Sequence, residues 1–176
     1  MAQTNTIVDH NPAKQEKCYI QARGFFFAAK RCGRTEICEE SGLNQNLLIP
    51  ECVNIAFSCE LYFKVLLYKN QEVIREHSLF NLFNQLDDAK KKKISESLKM
   101  GQTQLKSLIK QHSNLFNRMR YRSEFPQYSG SFSVPLQFFY QLAESLDKLA
   151  RELIDIDPYP ITKIYIDNLQ GSFEDF

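Results

Sequence analysis

The amino-acid sequence predicts an all-α fold, an antiparallel bundle of about five helices followed by an extended C-terminal tail. Apolar residues recur at intervals of three and four along most of the chain, which is the spacing of one helix face. Glycine and proline number only six each among 176 residues, few for a protein built from short strands and turns. A chain of this length usually forms one domain. We therefore predict one domain over residues 1–176, with residues 1–10 flexible and residues 158–176 as the tail.

The sequence has no segment typical of export or of membrane insertion. Met1–Pro12 is polar and lacks the charged and then apolar pattern of a signal peptide. No apolar run reaches the roughly 20 residues that cross a bilayer. The five cysteines are an odd number without a CxxC pair, which favours free thiols. We expect a cytoplasmic protein outside the membrane, with no cofactor and no metal site.

Two helices are predicted in the first part of the chain. The first runs from about Pro12 to Arg31, because Asn11 before a proline is typical of a helix start. Residues 33–49 are polar and predict a loop. The second helix is predicted over residues 50–69.

Glu60 lies on the apolar face of this second helix, between Ala56 and Phe63. A carboxylate in that position needs a cationic or hydrogen-bonding partner. Lys64 follows four residues later, which is a favourable spacing for an ion pair on a helix. We therefore predict a paired, buried carboxylate here.

A break at residues 70–77 precedes a short third helix, whose apolar stripe includes Leu79 and Leu82. Lys90–Lys93 follows this helix. Four consecutive lysines point in different directions on a helix, and they are more typical of a solvated turn than of a nucleic-acid site.

The fourth helix, predicted from about Thr103 to Ser123, carries the strongest binding signal. Asn114, Arg118 and Arg122 lie at intervals of four beside its apolar face. Its sequence is basic and without acids, whereas residues 144–176 are acidic. A basic helix of this kind can bind phosphate, pack against the acidic segment, or form an ordinary solvated face.

The fifth helix is predicted from about Pro135 to Ile156, after a loop that ends near a helix-capping Ser133. Two prolines, Pro158 and Pro160, end it. The weak alternation of residues 161–166 then predicts the extended tail.

Three segments between residues 50 and 124 resemble HEPN domains (higher eukaryotes and prokaryotes nucleotide-binding). Residues 56–67, AFSCELYFKVLL, are similar to the Glu-Leu-x-x-Lys-x-Leu helix of that family. His77-Ser78-Leu79 is similar to its His-Asp-Leu motif, with Ser78 where Asp is common. Residues 116–124 contain Arg120-Tyr121 and are similar to the late aromatic and Arg-Tyr stretch.

The resemblance implies a helical bundle that forms a homodimer or pairs with a HEPN-type partner protein. In nuclease members of the family it also implies an arginine followed four to six residues later by a histidine. Such a pair makes chemical sense, because histidine moves protons while arginine stabilises the charge on phosphorus. Here no histidine follows Arg118 or Arg120 in the sequence, so we assign no catalytic residues.

We predict a HEPN-like module that binds RNA, a nucleotide or a protein partner through its basic helix, without strong catalytic activity. The candidate binding residues lie on or beside that helix: Lys110, Asn114, Arg118, Arg120, Tyr121 and Arg122. Four residues are expected to support the site: Glu60, Lys64, His77 and Glu124. We expect Glu60 to form a buried ion pair with Arg118 or Arg120, and His112 to be a partly buried core residue.

Two alternatives from other functional classes remain open. The first is a metal-independent, dimeric endoribonuclease of a defence or toxin–antitoxin system. In that case Glu124, or a histidine from the second subunit, would replace the missing histidine. The second alternative is a structural interaction protein that uses the acidic C-terminal segment.

Overall fold

The computed structural model describes residues 12–34, 36–37, 44–45, 47–68, 74–121, 124 and 133–154. The fold class is all-α, as predicted. The helices in the described residues are α1 (Pro12–Cys32), α2 (Leu48–Leu67), α3 (Leu79–Gln85), α4 (Asp88–Ser97), α5 (Gln102–Gln111), α6 (Leu115–Arg120) and α7 (Leu136–Ile154). Between α1 and α2, the two-residue strands β1 (Glu36–Ile37) and β2 (Asn44–Gln45) pair antiparallel.

Helices α1 and α2 form a closely packed antiparallel pair. Ser58 on α2 is fully buried and donates a 2.8 Å hydrogen bond to the carbonyl oxygen of Ala22 on α1. Towards the other end of the pair, Gln15 donates to the carbonyl oxygen of Val65 at 2.9 Å. Small side chains at the contact let the backbones approach, so polar side chains of one helix reach carbonyl groups of the other.

Helix α7 packs on this pair through a continuous apolar stripe. Its fully buried residues include Phe139, Leu142 and Leu146, each of which contributes roughly 1.5–3 kcal/mol by leaving water. Helix α6 covers another part of α2, where the ring of Phe116 stacks on Phe57 with centroids 4.8 Å apart. The main core therefore lies around α2, between α1, α6 and α7.

Several predicted boundaries need correction. Helix α2 begins at Leu48, before the predicted residue 50, because a proline within the first helical turn loses no helical hydrogen bond. Lys90–Lys93 lies in α4 and not in a turn. The carboxylate of Asp87 caps α4 by accepting from the Lys90 backbone N–H at 2.8 Å, and Ile94 is buried.

The predicted fourth helix is two helices, α5 and α6, joined by a turn at residues 112–114. A tertiary hydrogen bond accompanies the break: the carbonyl oxygen of Ser113 accepts from the Leu79 backbone N–H at 3.0 Å. This bond fastens the start of α3 to the end of α5. The sequence of this region, with its unbroken helical periodicity, does not reveal that interruption.

Some predictions fall wholly or partly outside the described residues. These are the flexible start, the Asn11 helix signal, the extended tail, Arg122 and most of the loop before α7. Pro135, not Ser133, directly precedes α7. The described thiols of Cys18, Cys32, Cys52 and Cys59 are free, as expected. None of the described helices combines the length and apolar character needed to cross a membrane.

Candidate functional site

The first candidate site consists of two groups of cations lying on aromatic rings, one between α3 and α5 and one at α6. On α5, Lys106 and Lys110 are one helical turn apart, and both face α3. Their Nζ atoms lie 5.8 and 5.7 Å from the ring centroid of Phe80. Both lysines are exposed, and Phe80 is half-buried. These distances are within the range of cation–π attraction.

On α6, Arg120 is held in a similar way. Its guanidinium carbon lies 5.7 Å from the ring centroid of Phe116 and 5.2 Å from that of Tyr121. Phe116 in turn stacks on Phe57 of α2, which fixes its position. We call these two groups of cations and rings together the basic surface: Phe80 with Lys106 and Lys110, and Phe116 and Tyr121 with Arg120.

The basic surface has no acidic ion-pair partner among the described residues. Within the part of the chain that the structure describes, Lys106, Lys110 and Arg120 form no ion pair with a carboxylate. The acids of α7 pair elsewhere: Glu144 with Lys30 at 3.3 Å, and Glu152 with Lys93 at 2.9 Å. None of these three cations pairs with the described part of the acidic segment, residues 144–154.

The lysines of α4 differ from those of α5. Lys90 pairs with Asp87, Lys91 with Asp88 and Lys92 with Glu96. Such exposed pairs contribute little to stability. They nevertheless partly neutralise the charge of the four-lysine run, which lies on a helix and not in the predicted turn.

The remaining predicted binding residues are dispersed by the break between α5 and α6. Asn114 is exposed at the start of α6 and makes no capping hydrogen bond through its side chain. Arg118 is half-buried, one turn later. Glu124 is exposed, and Arg122 lies outside the described residues. The predicted seam of residues at intervals of four is therefore interrupted.

A second polar cluster surrounds Glu60, which is completely buried on α2. Its Oε1 atom accepts from Lys64 Nζ at 2.8 Å and contacts His77 Nδ1 at 2.9 Å. The predicted pair with Lys64 is confirmed, but the expected pair with Arg118 or Arg120 is wrong. Helix α6 contacts α2 at Phe57, about one turn before Glu60. The second partner of Glu60 is instead His77, in the segment before α3.

The segment that carries His77 is fixed by Glu76, which the sequence analysis missed. The Glu76 carboxylate accepts from the backbone N–H groups of Ser78 at 2.7 Å and His77 at 2.8 Å, and from Asn81 Nδ2 at 2.8 Å. The bond from Ser78 and then that from Asn81 lower the pKa of Glu76. Ser78 caps α3, because its hydroxyl accepts from the Asn81 backbone N–H at 3.4 Å.

His112 is half-buried, as predicted, and packs edge-on against Phe139 with centroids 5.8 Å apart. Burial lowers its pKa, and the positive charge of Arg118 lowers it further. The imidazole is therefore mainly neutral at pH 7. This environment agrees with a core histidine.

A third cluster, also missed from the sequence, joins α1, α2 and α7 around Asp147. Its carboxylate accepts from Tyr62 Oη at 2.9 Å and from Arg151 at 2.8 Å, and Arg23 lies 3.9 Å away. Burial first, and then the charge of Asp147, raise the pKa of Tyr62 far above its usual value. The contact pairs residues far apart in sequence, so helical spacing gave no signal for it.

No group of three or more metal-binding side chains occurs within the described parts of the chain. Comparisons with protein-family models, curated proteins and solved structures found no match to this sequence. The resemblance to HEPN domains therefore rests on the sequence motifs alone.

Proposed function

We propose that this chain is a HEPN-like module that binds RNA through the basic surface, without strong catalytic activity of its own. The observation that carries the proposal is the set of exposed cations, Lys106, Lys110 and Arg120, which rest on aromatic rings and have no acidic partner among the described residues. Cations beside aromatic rings suit the alternating phosphates and bases of a nucleic-acid strand.

Binding would depend on phosphate contacts. The ammonium groups of Lys106 and Lys110 and the guanidinium of Arg120 would replace the counterions of the strand, which makes affinity fall as salt rises. Their aromatic partners hold these long side chains in place, so less side-chain freedom is lost on binding. Bases of the single strand that are not stacked on one another can stack on the ring of Phe80 or Tyr121.

The alternative of a ribonuclease has less support. Arg118 lies close enough to His112 to lower its pKa, but the imidazole packs against Phe139 and is half-buried. The family resemblance also makes a homodimer the assembly that we propose. RNA that stays intact during binding assays agrees with a binding module, whereas cleavage would favour the nuclease.

The test is the salt dependence of binding to a single-stranded oligoribonucleotide, measured by fluorescence anisotropy with the full chain. Each phosphate contact on a single strand contributes about 0.7 to the slope of log affinity against log salt. Substituting both Lys106→Ala and Lys110→Ala should weaken binding and reduce the magnitude of that slope by about 1.4, since two contacts are lost.

The matched control is Lys92→Ala, which removes an exposed lysine from α4 that already pairs with Glu96. We expect it to leave the affinity and the slope unchanged. Undetectable binding of RNA and of mononucleotides at low salt would refute the proposed function. Equal effects of the α4 and α5 substitutions would place the binding surface elsewhere.

A further inference from the structure

The Glu60 cluster holds one nitrogen of a largely exposed imidazole, that of His77. Glu60 Oε1 lies 2.9 Å from His77 Nδ1, and an ionised carboxylate can only accept a hydrogen bond. Nδ1 is therefore the donor, and a neutral His77 carries its lone pair on Nε2. The His77 side chain is 59% exposed, and no described residue forms a hydrogen bond with Nε2.

The position of this nitrogen is fixed from two directions. Lys64 holds Glu60 Oε1, and Glu76 holds the backbone N–H groups of His77 and Ser78. The arrangement is costly, because Glu60 is fully buried and its Oε2 atom has no hydrogen-bond partner among the described residues. A buried carboxylate needs partners, and one of the two partners of Glu60 Oε1 is this surface imidazole, which the contact holds in one tautomer.

His77 also lies beside the basic surface. It precedes Phe80 by three residues, a stretch of chain that spans at most about 11 Å. The Leu79 backbone N–H donates to the carbonyl oxygen of Ser113 at 3.0 Å, which ties this segment to the end of α5 just after Lys110. A strand bound over Phe80 and Lys110 would therefore pass near His77.

We propose that Nε2 of His77 accepts a hydrogen bond from a ribose 2′-hydroxyl and thereby selects RNA over DNA. The 2′-hydroxyl is the group by which a protein distinguishes the two nucleic acids at a given site. Deoxyribose offers no donor to this nitrogen. Glu60 is a positioning residue, which fixes the tautomer and does not contact the strand. The inference rests on the proposed binding of RNA, but it can fail independently.

The experiment compares three strands of one sequence without uracil or thymine: RNA, DNA and 2′-O-methyl RNA. The methylated strand keeps the ribose oxygen, loses the hydroxyl donor and gains a methyl group, whereas the DNA strand loses the hydroxyl without added bulk, so the two strands together separate loss of the donor from steric exclusion. We expect the full chain to bind RNA about fivefold more tightly than the methylated strand, the size expected for one neutral hydrogen bond. In His77→Leu this ratio should fall to about one while phosphate-dependent binding remains.

Two controls separate this effect from a change in folding. Gln85→Leu alters an exposed residue at the end of α3 and should keep the wild-type ratio. Nitrogen-15 NMR of the free wild-type protein should show the Nδ1–H tautomer of His77, and Glu60→Gln should shift the tautomer population and lower the ratio.

The outcomes distinguish the two proposals. Equal affinity of wild-type protein for RNA and the methylated strand, with binding still dependent on Lys106 and Lys110, overturns the role of His77 and leaves the binding function in place. An Nε2–H tautomer in the free protein also overturns it. Failure of all three strands to bind refutes the proposed function itself.

Discussion

Two buried tyrosines differ by one hydrogen bond. Tyr19 and Tyr62 are both fully buried and meet edge to face, with ring centroids 6.1 Å apart. The hydroxyl of Tyr62 donates to Asp147 at 2.9 Å, whereas that of Tyr19 has no partner at hydrogen-bond distance among the described residues. Burial, followed by the charge of Asp147, raises the pKa of Tyr19 to about 12, so its hydroxyl stays protonated at neutral pH.

Removal of the Tyr62 hydroxyl and removal of the Tyr19 hydroxyl should therefore change the free energy of unfolding by different amounts. Tyr62→Phe should cost roughly 1.5–3 kcal/mol, because it removes a hydrogen bond to a charged group. Tyr19→Phe should cost less than about 0.5 kcal/mol or be stabilising, since the Tyr19 hydroxyl lies near Asp147 but has no partner at hydrogen-bond distance among the described residues. Urea unfolding of both variants measures the difference, and equal losses would contradict the assignment of the hydrogen bond to Tyr62.

At the residue scale, sequence spacing identified part of the polar chemistry. Glu60 on an apolar face required a partner, and Lys64 stood one turn away on the same helix. His77 and the Asp147 contacts join segments that are distant in sequence. Helical periodicity describes one element at a time, so it could not identify partners that only the packing of different elements brings together.

At the scale of helices, α4 shows that a helix-capping residue can outweigh a run of lysines that is typical of a turn. Four consecutive lysines suggested a turn, yet Asp87 satisfies a free N–H group at the helix start and Asp88 lies in the first turn. Negative groups at that end of a helix interact favourably with its dipole. Burial of Ile94 then fixes α4 against the rest of the domain.

The cap of α4 provides a prediction at this scale. Asp87→Ala should lower the free energy of unfolding by about 1 kcal/mol, because the Lys90 backbone N–H loses its acceptor. Asp88→Ala is the matched control: its side chain is fully exposed, and its removal should change stability by less than about 0.5 kcal/mol. Chemical denaturation compares the two, and a larger effect at Asp88 would show that charge alone stabilises the helix start.

The break between α5 and α6 marks the limit of predicting elements from sequence. Helical spacing correctly placed the long helices α1, α2 and α7, because each buries a continuous apolar stripe. The turn at residues 112–114 coincides with the bond from Leu79 to Ser113, which is a tertiary contact. The helical spacing of apolar residues can therefore continue through a point where the helix itself is interrupted.

At the scale of the whole molecule, charge is close to balanced in total and uneven in its placement. The formal net charge of the chain is +1. Described acids of α7 pair with cations of α1 and α4, whereas the cations of the basic surface meet aromatic rings. Among the described residues, cations paired with acids and cations resting on aromatic rings are therefore separated, and this supports the proposed binding face better than the number of lysines does.

The most direct test of the proposed function is an NMR titration of the full chain with a single-stranded RNA at low salt. We predict that backbone amide shifts change along the basic surface, at Phe80, Lys106, Lys110 and Arg120, while Lys90–Lys93 on α4 stays unchanged. Binding is expected there because those cations are exposed without acidic partners among the described residues. Shift changes confined to α4 or α7, or none at saturating RNA, would contradict the account.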